Sequence, residues 1–232
     1  MLITEWAPAV VALSAAGALA AGRLWQRSVV ARAPVPCPDP EIEQQAARSR
    51  SPAIGAVGEA LVASILTGLR LPVLRNLVLI VAGRTVEMDA LVLTGDGLIV
   101  LEVKTLSGLI VPTNDGAVWE RLGRGVAVRF QSPVVQNRWH VDALRRFLAD
   151  DRVPVSGLVV SAGTATLAPE LRSSIVLASE LDRVLGLASR GEPAPHIMCA
   201  WRRLGAERCR SAARLTRHIG SCAHAGHHGP SS

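Results

Sequence analysis

Apolar residues recur at two different periods along this chain, and the change of period marks out its elements. Over residues 53–69 Glu59 is the only ionisable side chain in 17 positions, a length and composition that predict a helix. Runs rich in Val, Leu and Ile follow at 77–81, 86–93, 98–104 and 109–111 and predict strands. Further strands are expected at 118–120 and 126–130. After Pro133 the spacing lengthens, because Val134, Val141, Leu144 and Leu148 fall on one face at steps of seven, three and four. This predicts a helix running to Ala149. Strands at 155–161 and 174–177 and a helix over about 180–187 complete an α/β order. From Arg190 the chain loses clear periodicity and ends in Ala, Gly, His, Pro and Ser, the composition of a solvated, poorly ordered tail.

The N-terminal part has a different pattern. Residues 6–22 hold 17 positions without a charge, mildly apolar because so many are alanine. That is the lower limit for a membrane-spanning helix. Ala18-Leu19-Ala20 resembles a signal-peptide cleavage site, but Glu5 precedes the run and no Lys or Arg does. Arg23, Arg27 and Arg32 follow it, which favours an uncleaved single-pass anchor in the cell membrane with the rest of the chain in the cytoplasm. A cleaved signal peptide and a buried helix are the alternatives. Pro34, Pro36, Pro38, Pro40 and Pro52 make residues 31–52 an extended tether. The expected organisation is an anchor and flank at 1–30, this linker, a folded domain at 53–189 and the tail at 190–232.

Charge and composition narrow the picture. With 232 residues there is room for one medium domain and short appendages, not a large multidomain enzyme. The net charge of +6 sits almost wholly in the tail, which from Arg190 carries seven Arg and two Glu. A net-charge argument for nucleic acid therefore concerns the tail, where Arg202, Arg203, Arg208, Arg210, Arg214 and Arg217 could touch nucleic acid or anionic lipid. Cys37, Cys199, Cys209 and Cys222 are too far apart for a disulfide framework or a zinc module, even with the histidines of the tail. Lys104 is the only lysine among 25 basic residues. Where the chain needs only a positive charge it uses Arg, so this position calls for a lysine.

The turn Thr94-Gly95-Asp96-Gly97 sets the register of the strands around Lys104. With Asp96-Gly97 as a two-residue loop Asp89 falls opposite Lys104; with all four residues in the loop Leu93 faces Leu98 and Asp89 falls opposite Glu102. In both registers Asp89, Glu102 and Lys104 share one face. Two carboxylates on an apolar sheet repel each other and are tolerated when a hard cation lies between them. Magnesium held by Asp89 and Glu102, with the Val103 carbonyl as a third ligand, could hold a water against a phosphodiester, and manganese is the alternative ion. Lys104 would orient that water or contact the phosphate. A surface hairpin in which Lys104 merely pairs with Asp89 is the plainer reading. Glu59 adds a carboxylate on an otherwise apolar helix, although an exposed first turn would explain it as well. Gln136 and His140, four apart, share a face with Ala143 and Phe147, as core polar residues or as groups facing a phosphate.

As a set these residues resemble a known family. Gly58-Glu59, Met88-Asp89, Gly97 followed by Leu98-Ile99-Val100-Leu101-Glu102-Val103-Lys104, then Gly108, Trp119 and Ser132-Pro133-Val134-Val135-Gln136-Asn137 with His140 and Leu144 look like the nuclease-related domain, NERD. The likeness covers about residues 53–150. It implies a restriction-endonuclease-like fold of the PD-(D/E)xK type, a central mixed sheet flanked by helices. It also implies Asp89 and Glu102 as metal ligands, Lys104 as catalytic lysine, Glu59 as the helix acid and Gln136 in support. Two positions depart from the family pattern, Ala90 where His is frequent and Ser132 where Asn is, and neither removes a ligand.

The expected function is that of a membrane-tethered, magnesium-dependent nuclease, acting on DNA ahead of RNA. The alternatives are a non-catalytic nucleic-acid-binding module of the same fold and a membrane-anchored scaffold for protein contacts.

Overall fold

The computed structural model describes residues 52–113, 116–123, 126–188 and 191–225, with side chains through 211 in the last stretch. Helix α1 (Pro52–Gly68) leads into the antiparallel strands β1 (Val73–Val81), β2 (Arg84–Thr94) and β3 (Gly97–Lys104). Strands β4 (Leu109–Pro112), β5 (Val118–Gly123) and β6 (Val126–Gln131) form a meander before α2 (Pro133–Leu148). Then come β7 (Val155–Ser161), the short β8 (Thr166–Leu167) and β9 (Ile175–Leu177), α3 (Leu181–Ala188) and α4 (Pro195–Ala225).

The strands make two sheets, where the sequence predicts a single central one. The first has the order β1-β2-β3-β7-β9 and the second β6-β5-β4-β8. Both are mixed: β3 pairs with β7 in parallel, and so does β4 with β8. The chain leaves the first sheet after β3, builds the meander, and returns through α2, because a parallel partner requires a long crossover. Leu106, Ile110, Trp119, Phe130 and Val159 close a core cluster shared by the two sheets.

The β2–β3 register is the second of the two expected, with the pairing carried one step further into the turn. Leu93 faces Leu98 and Thr94 faces Gly97, so Gly95 and Asp96 alone form the loop. The offset puts Asp89 level with Glu102. Gly97 has φ +152°, and a Cβ there would come within 2.4 Å of the Pro154 carbonyl oxygen. Only glycine fits this position.

Leu77, Leu79, Met88 and Val100 of the first sheet join Val141 and Leu144 of α2 in one core cluster. Ser132 caps α2, its hydroxyl accepting from the Val135 N–H at 3.4 Å, so serine serves here as asparagine would. The same cluster also takes in Ile197, Ala200 and Leu204 of α4. This corrects the expectation of a disordered tail. Residues 195–211 form a docked helix, and its apolar stripe escaped notice because alanine and arginine dilute it. Arg203 ties it down with 3.1 and 3.0 Å bonds to the Leu148 and Phe147 carbonyls and lies 4.7 Å from the Phe147 ring centre. Cys199 and Cys209 are free and exposed on this helix.

The apolar run at 6–22 and the linker lie outside the described residues. Among the described residues no helix is long and apolar enough to cross a membrane.

Candidate active site

Three elements converge on the end of β3. Glu102 is 2% exposed and Lys104 7%, and the ammonium Nζ rests against Glu102 Oε1. His140, one turn beyond Gln136 on α2, brings Nδ1 to 3.2 Å from Glu102 Oε2. That contact is close but poorly angled, since neither atom completes a hydrogen bond. From β2, Asp89 turns its carboxylate to the next strand, where Oδ2 accepts the Val103 N–H at 2.7 Å. Lys104 therefore pairs with Glu102, not with Asp89 as the plainer sequence reading had it.

The electrostatics separate the two carboxylates. Burial, reinforced by the negative charge of Glu102, pushes the Asp89 carboxyl up to about 6, against the pull of the Val103 N–H and Lys104; Glu59 adds a further small push. For Glu102 burial also acts upward, but Lys104 and His140 outweigh it and hold the carboxyl below the usual range. Asp89 is thus the acid short of positive charge and Glu102 the acid that has it. The sequence-predicted face holds, since Asp89, Glu102 and Lys104 form one electrostatic group.

Glu59 stands at the margin of this group. It is exposed on α1, near enough to act on Asp89 through space. Its position depends on Gly58, where a Cβ would lie 1.9 Å from the Thr105 hydroxyl oxygen, so only glycine lets α1 approach the end of β3 this closely. Gln136 is half-buried in the first part of α2, on the face that carries His140.

Two residues have roles that the sequence does not assign them. Asn137 is buried and donates from Nδ2 to the Val100 carbonyl at 3.2 Å, fastening α2 to the middle of β3 and so fixing His140. Its close packing on Gly157, where a Cβ would meet Nδ2 at 2.8 Å, was not visible without the fold. Ser161, at the end of β7, pairs in register with Lys104, and its buried hydroxyl has no hydrogen-bond partner. A polar residue closing an apolar strand was the only signal for it.

The donor set fits a magnesium-type ion. Such a cation takes one or two carboxylates and completes its shell with water and phosphate oxygens. Asp89, held short of positive charge, and Glu102, with an orphaned buried Oε2, offer that many. Among the described residues no group of three or more His, Cys, Asp or Glu is arranged as a metal cage.

Residues 54–162 match the family model described as NERD, nuclease-related domain. No curated protein and no solved structure gives a match. The matched stretch runs from α1 to just past the end of β7 and contains every residue of the group above; α4 lies beyond it.

Proposed function

We propose, from the premise that residues 54–162 are a nuclease-related domain, that the chain hydrolyses phosphodiester bonds in nucleic acid, DNA ahead of RNA, using a divalent cation held by Asp89 and Glu102. The observation that carries this reading is the carboxylate pair itself. Asp89 is kept in a setting that raises its carboxyl to about 6, beside a second acid and the chain's only lysine. Carboxylates perturbed by burial and by a second acid gather at functional sites.

A bound magnesium or manganese ion would supply neutralisation of phosphodiester charge and a more acidic water. The chain's own groups do the rest. The Val103 N–H fixes the rotamer of Asp89, and His140 steadies Glu102 from α2. Lys104, anchored by Glu102, presents a compact positive charge to a phosphate oxygen. Glu59 and Gln136 border the group and would orient water or substrate.

The test is cleavage by the full-length chain on single- and double-stranded DNA and on RNA, with magnesium, with manganese and with excess chelator. Metal-dependent cleavage abolished by Asp89→Asn supports the reading, and cleavage that survives chelation overturns it. One observation favours a second reading. Both oxygens of Glu102 already face Lys104 and His140, which is how a non-catalytic nucleic-acid-binding module would quiet a buried acid. Binding without cleavage under every metal condition would select it. Attachment to the membrane through residues 6–22 belongs to the proposal and rests on the charge pattern alone.

A further inference from the structure

Among the described residues a few buried polar atoms lack a hydrogen-bond partner, and all but one are accounted for by their surroundings. Glu102 Oε2 and His140 Nδ1 face each other at 3.2 Å. Asn137 Oδ1 belongs to an amide already fastened at Val100, well before the end of β3, and Gln131 Oε1 lies on β6 of the second sheet. Ser161 is different. It is 2% exposed, its hydroxyl has no partner, and it stands level with Lys104. The Ala162 N–H donates to the Lys104 carbonyl at 3.0 Å, which holds the two strands in register to their ends. Paired residues of parallel strands point to the same side with Cα atoms about 4.8 Å apart, so the hydroxyl is within the sweep of the lysine side chain.

Lys104 has a use for that reach. Its ammonium rests against Oε1 of Glu102, the carboxylate that would also hold a cation. A divalent cation on that carboxylate and an ammonium touching it repel strongly where Glu102 is 2% exposed and water screens little. One of the positive groups must yield. His140, at the other oxygen, comes from a helix fastened to β3 through Asn137, whereas a lysine carries its charge on a flexible four-carbon stem. An ammonium that leaves Glu102 in so buried a place needs another acceptor, because an unpaired buried charge is costly. A serine hydroxyl has two lone pairs to offer, and this one spends neither. A buried hydroxyl without a partner is unfavourable, and its presence is explained if the partner arrives with the cation.

We infer that Ser161 is a positioning residue for Lys104: its hydroxyl receives the ammonium when a divalent cation takes over Glu102, and so keeps the lysine charge within the site. The inference rests on the reading of Asp89 and Glu102 as cation ligands. It adds that Lys104 has two seats, one on Glu102 and one on Ser161, and that the cation chooses between them. A compact ammonium with three donors suits such a transfer better than a planar guanidinium does.

Because Lys104 is the only lysine, full-length protein carrying isotope-labelled lysine gives a single lysine side-chain resonance, which makes the test direct. That resonance should move to a second position as magnesium is added, and in Ser161→Ala it should not reach that position. Manganese affinity, read from the spin resonance of the free ion, should fall about tenfold or more in Ser161→Ala, as the loss of one hydrogen bond to a charged group requires. The melting temperature of Ser161→Ala in excess chelator should hold, a combination that a serine needed only for packing would not produce. Ser161→Thr, which keeps the hydroxyl, should restore both the resonance shift and the affinity. Should Ser161→Thr melt early, the alanine variant decides alone. A lysine resonance unmoved at magnesium concentrations that displace manganese would overturn the inference and leave the carboxylate reading standing, and so would wild-type manganese affinity in Ser161→Ala. Manganese binding that depends on Ser161 in a chain that never cleaves would count against the proposed hydrolysis and leave this inference intact.

Discussion

At the residue scale the site is a balance between two acids and one lysine, and each can be perturbed separately. Asp89 has its carboxyl raised to about 6 from an ordinary 3.8, so its ionisation is easier in the unfolded chain than in the folded one. The sign follows: this group costs nothing below pH 4, and the cost grows as pH rises to 6 and stays constant above. Asp89→Asn should therefore stabilise the protein by about 2 kcal/mol at neutral pH, an effect that fades by pH 4, while abolishing cleavage. Denaturant melts at several pH values check this, and a destabilised Asp89→Asn at pH 7 would contradict it. A cation on Asp89 competes with the same proton, so its affinity should fall about tenfold per pH unit below 6. Lys104 works in the opposite direction. Lys104→Ala leaves the buried Glu102 without its nearest positive charge and should cost about 3 kcal/mol as well as activity. Lys104→Arg keeps the charge, yet a planar guanidinium cannot take the ammonium's place against Glu102 in a site 7% exposed, so cleavage should remain at least about a hundredfold down. Full turnover in Lys104→Arg would remove lysine from the chemistry.

At the scale of elements the sequence was legible wherever one period ruled. The strands at 98–104 and 155–161 coincide with β3 and β7, and the helix after Pro133 ends one residue short of the expected Ala149, which caps it in a left-handed conformation. The shared face of Asp89, Glu102 and Lys104 was legible because a turn fixes parity along both strands. What could not be read was tertiary. The meander β4–β6 forms its own sheet because β7, not β4, takes the edge of β3, and no local pattern encodes that choice. Asn137 and Ser161 acquire meaning only from the neighbours the fold supplies. Helix α4 is the largest miss. Leu204 is fully buried between α2 and β1, and Ile197 nearly so, while Arg203 and Arg208 on either side of Leu204 bond to backbone carbonyls. Leu204→Ala should cost about 3 kcal/mol by leaving a cavity in the main core, and truncation before Pro195 should prevent stable folding. Circular dichroism and thermal melts measure both. A truncated chain that melts cooperatively at the wild-type temperature would show α4 to be an appendage after all.

At the scale of the whole molecule, the chain joins a nearly neutral folded body to two stretches of uneven charge, and each bears on where a nucleic-acid site can operate. The C-terminal arginines are partly spent within the fold: Arg203 secures α2, and Arg208 secures β1. The rest of the asymmetry lies at the N-terminal side, where Glu5 precedes 17 uncharged residues and Arg23, Arg27 and Arg32 follow them. If residues 6–22 span the bilayer, moving three arginines across it is less favourable than moving a short N-terminus with one acid. The domain should then face the cytoplasm, where nucleic acid and magnesium are both abundant. Reporter fusions after residue 50 measure this directly. The expected outcome is an inactive alkaline phosphatase fusion, a fluorescent cytoplasmic reporter and a product that stays in the membrane fraction after alkaline washing. An active phosphatase fusion would place the domain outside the cell, and a soluble product shortened by about 20 residues would show that the apolar run is a cleaved signal peptide.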